Sequence, residues 1–369
     1  MKITDLSITL FSWDDLPPVV YGQNVRSSNP SSQLGLVEIS TDAGIVGHAF
    51  LGASYTSAAA DAPRLIDALK PLVMGEDPLD RERLYRCLWQ RVRASSVRAV
   101  GAVDIALWDI AGKAANMPIH HLLGSYRKSL PAYASSPAWP NAEAYCEEAL
   151  HWRARGVNAY KIHAHGTVRA DIAICAAVRR AVGDDHVLML DSGWAYDYPD
   201  ALKVGRAIEA LGFHWFEDPL GEWSIPNYVK LRQKLDIPLM ATELPFAGFE
   251  TYAPWLMAQA TDYLRGDVAF KGGITTMVKT AHLAEGFGMN YEIHHGSNSL
   301  NNIANLHVAA AIRNCEYFEV LLPDSNNKYG LVQDIEVDGD GLVHVPMGPG
   351  LGATIDFDLI QRKKVAVLR

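Results

Sequence analysis

Six acidic or imidazole side chains recur through the second half of this 369-residue chain at nearly constant spacing: Asp191, Glu217, Glu243, Asp267, His294 and Glu319, with steps of 26, 26, 24, 27 and 25 residues. Each closes a short apolar or β-branched run, and helix-like segments lie between the runs, as in Tyr160-Lys161-Ile162-His163, then residues 170–182, then Val187 to Asp191. A period near 25 residues is one strand plus one helix. When such units close into an α/β barrel, the carboxyl ends of all the parallel strands converge on one face, so residues at the same phase meet in space. The pattern therefore predicts a (β/α) barrel with six polar groups at one mouth. A weaker start at Pro131-Ala132-Tyr133 and the strand carrying Lys161 bring the expected count to seven or eight strands.

The barrel does not use up the chain. Two alternating segments, Ile3 to Phe11 and Gly35 to Thr41, read as strands flanking a polar loop that contains Asp14, Pro17, Tyr21, Arg26 and Ser31. From Ser57 to Asn116 apolar residues return at helical spacing, so this part reads as a small α+β domain. The expected division is a capping domain over residues 1–125, a barrel over 126–330 and a C-terminal segment, 331–369, that packs back on the cap. Within that segment Val337-Asp338-Gly339-Asp340-Gly341 is a hairpin signal.

With 49% hydrophobic and 20% charged residues spread along its length, the chain can bury a large core. The net charge of −9, without a basic run, argues against nucleic acid as a partner, and no apolar run approaches the roughly 18 residues that a membrane span needs. Cys87, Cys146, Cys175 and Cys315 lack CxxC spacing and are expected as reduced core thiols. No secretory-type apolar stretch follows Met1, so a cytoplasmic location is expected.

Three consecutive members of the series, Asp191, Glu217 and Glu243, are carboxylates, and three converging carboxylates repel one another unless a cation lies between them. All-oxygen ligands favour Mg²⁺ over Zn²⁺, one ion per chain. Asp267 and His294 end the next two units, where a carboxylate would fix the tautomer of an imidazole and raise its basicity. His295 is expected to point away from its neighbour. Lys161 and His163, two apart on one strand, share a face and would oppose that dyad across the pocket, and Glu319 falls in phase on the last strand.

On these residues the sequence resembles the mandelate racemase subgroup of the enolase superfamily over nearly its whole length. The motifs are Leu190-Asp191-Ser192, Phe216-Glu217-Asp218-Pro219, Thr242-Glu243, Asp267 with Gly272-Gly273-Ile274-Thr275 after it, and His294. The related muconate-lactonising subgroup carries a catalytic lysine where Asp267 stands. The resemblance implies a (β/α)7β modified TIM barrel with an N-terminal α+β cap. It also implies Mg²⁺ at Asp191, Glu217 and Glu243, and a symmetric homo-oligomer. One departure stands out, for His163 occupies the place of the second lysine of the usual K-x-K.

The reaction implied is loss of the α-proton from a small carboxylate to give an enediolate, with Lys161 and Glu319 on the substrate carboxylate and either His163 or the His294–Asp267 pair as base. Among such reactions the expectation is dehydration of an acid sugar, an aldonate or aldarate, to a 2-keto-3-deoxy acid. Racemisation or epimerisation, and cycloisomerisation of a sugar-acid lactone, use the same groups, and a non-catalytic sugar-acid binding protein is the reading from another class. Tyr21 and Arg26 of the first loop, and Tyr55 in Gly52-Ala53-Ser54-Tyr55, are the candidate substrate-binding residues.

Overall fold

A computed structural model describes residues 1–22, 26–27, 30–243 and 248–369, with the backbone alone at 26–27. Among the described residues, the first 51 supply five strands: β1 (Ile3–Trp13), the two-residue β2 (Val19–Val20) and β3 (Arg26–Ser27), β4 (Ser32–Thr41) and β5 (Val46–Leu51). In β1 the alternate residues Leu6, Ile8 and Leu10 are buried, as a strand with one face on a core requires. β1, β4 and β5 pair antiparallel in sequence order, and β2 pairs with β3 inside the polar loop.

The long helix Val97–Ala115 lies against this sheet. Ser96 caps its start by accepting a hydrogen bond from Ala99 N–H, and it ends where Asn116 turns left-handed at φ 52°. Thirteen of its nineteen residues are buried, more than one sheet face could cover, because the helix is sandwiched between the sheet and the barrel.

The barrel strands are β6 (Ser129–Ser135), β7 (Ala159–His163), β8 (Val187–Asp191), β9 (Trp215–Glu217), β10 (Leu239–Ala241), β11 (Tyr263–Gly266), β12 (Asn290–Ile293) and β13 (Phe318–Leu321), and a helix follows each of the first seven. All eight run parallel in sequence order, and β13 returns to pair with β6. This is the expected capped (β/α)7β barrel. The ladder is interrupted between β12 and β13, where side chains bridge the seam. Glu292 accepts hydrogen bonds from the N–H groups of Glu316 and Tyr317, and His295 N–H donates to Glu319 Oε2.

Strand alternation divides the barrel interior in two. Ala159, Met189 and Trp215 join Tyr133 and Met240 in an apolar plug at the bottom. Two residues further along the same strands stand Lys161, Asp191 and Glu217, so period 2 carries the lining from plug to polar mouth. After the barrel, β14 (Leu342–His344) pairs antiparallel with β6, and β15 (Lys364–Leu368) adds to the outer edge of β1. All four cysteines are free thiols, and no helix among the described residues is long and apolar enough to cross a membrane.

Candidate active site

At the mouth, one oxygen from each of Asp191, Glu217 and Glu243 lies within 4.8 Å of the other two. The backbone turns left-handed beside every one of them: Gly193 and Trp194 at φ 51° and 63°, Asp218 at 44° and Thr242 at 86°. Non-glycine residues in that region are costly and cluster at functional sites, here where the chain must leave a strand while aiming a carboxylate inward.

Two cations interlace these acids from within the barrel. Lys161 Nζ lies 3.3 Å from Asp191, 3.0 Å from Glu217 and 2.8 Å from Glu319. Burial and the nearby Arg265 oppose its charge, but Glu217 and Glu319 outweigh them and hold the ammonium well above its ordinary range. Arg265 is fully buried, 2.5 Å from both Glu217 and Glu319 and 3.4 Å from Glu243. Burial works against ionisation of Glu319, and Arg265 and Lys161 reverse it, keeping that carboxyl well below the usual range. Glu319 is therefore a charged partner of two cations, unsuited to donate a proton.

The donor chemistry fits a hard divalent ion. Asp191, Glu217, Asp218, Glu222, Glu243, Asp267 and Glu319 crowd the mouth, against the basic side chains Lys161, Arg265 and Lys271. Burial lifts Glu217 to about 7 even against the pull of Arg265 and Lys161, and burial with the nearby Glu222 and Glu243 pushes Asp218 well above the carboxylate range, so ionising these acids together calls for further positive charge. A cation among three all-oxygen ligands supplies that charge.

On one wall, His294 Nδ1 lies 3.0 Å from Asp267 Oδ2, while Asp267 Oδ1 accepts the N–H of Ala269 at the start of a helical turn. The carboxylate is thus fixed by the backbone and in turn fixes the imidazole, leaving Nε2 toward the cavity and 3.6 Å from Glu243. Burial disfavours the imidazolium, but Glu243 and the Asp267 hydrogen bond overcome it and raise His294 to about 9. On the opposite wall, His163 Nδ1 lies 2.5 Å from the carbonyl of Ser136, which makes it the protonated nitrogen, and Nε2 lies 3.2 Å from Asp191. His295 faces elsewhere, its ring against Phe318, and burial lowers it to about 3.

Between the walls is a cavity of about 370 Å³ whose outer lining includes Tyr21, Tyr55, Trp194 and Phe270. Tyr21 donates its hydroxyl to the Leu322 carbonyl and packs edge-on against His163, so the cap reaches down to the last barrel strand. The side chain of Arg26 lies outside the described residues. Lys161, His163, Asp191, Glu243, His294 and Glu319 line the same cavity, with Glu217 and Asp267 directly behind them.

Arg265, Glu222 and Lys271 belong to the site although the 25-residue spacing does not mark them. Arg265 stands two before Asp267 and shares its strand face, a signal that alternation alone could have given. Glu222 and Lys271 stand off the 25-residue phase in loop and helical turn, where nothing local marks an acid or a lysine as buried.

A capped barrel with three converging carboxylates, an Asp–His dyad and a second imidazole opposite defines an enzyme site with a triad able to hold a divalent cation, and the triad implies a small carboxylate substrate. The comparisons narrow the class. Residues 8–124 match the family described as mandelate racemase / muconate lactonizing enzyme, N-terminal domain, and residues 144–359 match enolase C-terminal domain-like. The chain belongs to the enolase superfamily, in the mandelate racemase/muconate lactonizing group, and is an enzyme of hydro-lyase or isomerase type.

It is 31% identical to arabinonate dehydratase of Saccharolobus solfataricus, with 89% of each chain covered. Against D-galactarolactone cycloisomerase of Agrobacterium fabrum it is again 31% identical, covering 88% of this chain and 89% of the other. A crystal structure of D-glucarate dehydratase from Agrobacterium tumefaciens complexed with magnesium superposes with a TM-score of 0.88 at 35% identity, over 99% of this chain and all of that one.

Proposed function

We propose that this enzyme dehydrates an acid sugar, an aldonate or aldarate, to a 2-keto-3-deoxy acid, with Mg²⁺ at Asp191, Glu217 and Glu243. The observation that carries the reading is the pair of imidazoles on opposite walls in different settings. His294 is held through Nδ1 by Asp267, so its Nε2 is set to give a proton, while His163 donates its Nδ1–H to the Ser136 carbonyl, which leaves Nε2 as the base. Mg²⁺, when bound, supplies positive charge against the substrate carboxylate as negative charge builds there.

In this scheme His163 Nε2 takes the α-proton and His294 Nε2 gives its proton to the β-hydroxyl. The Cβ–O bond breaks, water leaves, and the enol product tautomerises to the 2-keto acid. Lys161, charged among Asp191, Glu217 and Glu319, holds the carboxylate end of the substrate in place. Tyr21 and Tyr55 of the cap line the opposite part of the cavity and are proposed to meet the sugar hydroxyls.

The likeness to arabinonate dehydratase supports elimination. The likeness to D-galactarolactone cycloisomerase supports a second reading, in which the same acid and base open a sugar-acid lactone. A screen of aldonates, aldarates and their lactones with Mg²⁺ separates the two: dehydration yields a 2-keto acid that semicarbazide detects and releases one water. If no acid sugar gave a 2-keto product while a lactone was isomerised, the dehydratase assignment would fall.

A further inference from the structure

We infer that Glu222 is a positioning residue for the metal centre, a buried clamp that holds the backbone of Thr242 and Glu243 so that the Glu243 carboxylate faces Asp191 and Glu217. The inference rests on the reading of those three acids as the Mg²⁺ site. Glu222 belongs to the loop that follows β9, five residues beyond Glu217, and it is 2% exposed. Its Oε1 accepts two backbone hydrogen bonds from beyond the neighbouring strand, from Thr242 N–H at 2.5 Å and from Glu243 N–H at 2.8 Å. One carboxylate oxygen thus takes both amides of the segment that presents the third acid.

That segment needs holding. Thr242 is β-branched and sits at φ 86°, where its Cβ crowds the backbone, so the conformation persists only if its surroundings over-determine it. From the other side the Thr242 hydroxyl donates to the Arg265 carbonyl at 3.1 Å and accepts the Arg265 N–H at 3.0 Å, replacing a rung of the ladder between β10 and β11. Thr242 is therefore gripped by β11 on one side and by Glu222 on the other. The loop carrying Glu222 is itself pinned, because Tyr228 donates its hydroxyl to the Leu220 carbonyl at 2.6 Å.

Glu222 is neither a lining residue of the cavity nor one of the three acids of the metal triad, and it reaches the site through the Thr242 and Glu243 amides and through a hydrogen bond with the Asp218 side chain. Groups that orient a metal ligand in this way commonly change metal affinity by about 10–100-fold when removed. Glutamine keeps an oxygen where Oε1 is and can accept both amides, whereas alanine cannot.

The test is Mg²⁺ titration by calorimetry of the chelator-stripped full chain and its variants, with amide hydrogen exchange at Thr242 and Glu243 measured before metal is added. Glu222→Ala is expected to weaken Mg²⁺ binding by about 10–100-fold and to speed exchange at both amides at least about tenfold, while Glu222→Gln stays within about threefold of wild type. Glu222→Asp, one methylene short, covers the case in which the alanine variant does not fold, and should weaken binding in the same direction. Mg²⁺ affinity within threefold of wild type for Glu222→Ala or Glu222→Asp, or equal losses for the alanine and glutamine variants, would overturn the clamp and leave the metal site standing. A wild-type chain that binds no Mg²⁺ would remove both.

Discussion

Glu217→Gln keeps the shape of a side chain that lies between Lys161 and Arg265 but takes away the charge a divalent ion would share with Asp191 and Glu243. The expected result is Mg²⁺ affinity lower by at least about 100-fold and no turnover, read by calorimetry and product assay. His294→Asn should behave differently, because the three acids are untouched. Metal affinity stays within a few-fold, dehydration falls by about 10²–10⁴, and exchange of the substrate α-proton with solvent deuterium continues through His163. Loss of exchange together with dehydration would transfer the base role to the His294–Asp267 pair. Arg265→Met leaves Glu217 and Glu319 buried with one fewer cation, a change that typically costs about 3–5 kcal/mol. Because Mg²⁺ would restore part of the missing charge, denaturant unfolding should show a larger loss in metal-free protein than in saturating Mg²⁺. Equal losses in the two conditions would mean that Arg265 does not share the charge balance of the metal site.

The helix Val97–Ala115 shows how the cap sets the geometry of the dyad. Asp104 on this helix accepts the Thr275 N–H at 2.9 Å and the Thr275 hydroxyl at 2.6 Å, and a Cβ on Gly101 would stand 2.7 Å from the Val268 carbonyl and 3.1 Å from the Gly273 amide. Glycine to alanine within a helix normally stabilises by about 1 kcal/mol. At Gly101 the new methyl meets backbone that cannot turn aside, and overpacking of that kind costs about 1–3 kcal/mol, so the sign should reverse. Gly101→Ala is expected to lower the unfolding free energy and, because Val268 directly follows Asp267, to lower kcat more than it changes KM. A variant more stable than wild type would refute the close approach. This contact also marks the limit of what the sequence discloses. The recurring strand ends were legible because two local periods, about 25 residues per βα unit and 2 per strand, act on the same positions, and those six residues do meet at one mouth. Asp104 under Thr275 and Tyr21 on Leu322 join cap to barrel, and Glu222 on Thr242 joins the loops of two successive units, contacts that only the folded chain brings about. No local pattern encodes such pairings, and a glycine such as Gly101 gives no hint of which backbone it must admit.

At the scale of the molecule, cap, barrel and C-terminal residues are tied together near His307, and that knot should be sensitive to acid. His307 lies on the helix Ser299–Ala311 and is fully buried. Its Nε2 lies 3.0 Å from the Leu351 carbonyl, while Nδ1 accepts the N–H of His120 at 3.3 Å, so one ring nitrogen must donate and the other must accept. Only the neutral imidazole can do both. Leu351 N–H in turn donates to Asp109 of the capping helix, and the His120 ring stacks on that of His307. Burial is the largest cause lowering His307, to about 4; the Leu351 hydrogen bond and Asp109 pull upward, and His120 and His121 pull further down. A folded value below the ordinary 6.5 means that the unfolded chain takes up the proton first as the pH falls. The contribution of His307 is therefore complete above about pH 6.5, declines by roughly 1.4 kcal/mol per pH unit and is exhausted near pH 4, a total of about 3 kcal/mol. Buried acids such as Glu292 and Asp104, both raised to about 7, titrate with the opposite sign in overlapping ranges, so the measurement has to be a difference. Urea unfolding of wild type and His307→Gln at pH 7.5 and pH 4.5 should show the advantage of wild type shrinking by about 2–3 kcal/mol at the lower pH. A stability difference that did not change between the two pH values would mean that His307 takes up its proton as readily in the folded chain as in the unfolded one.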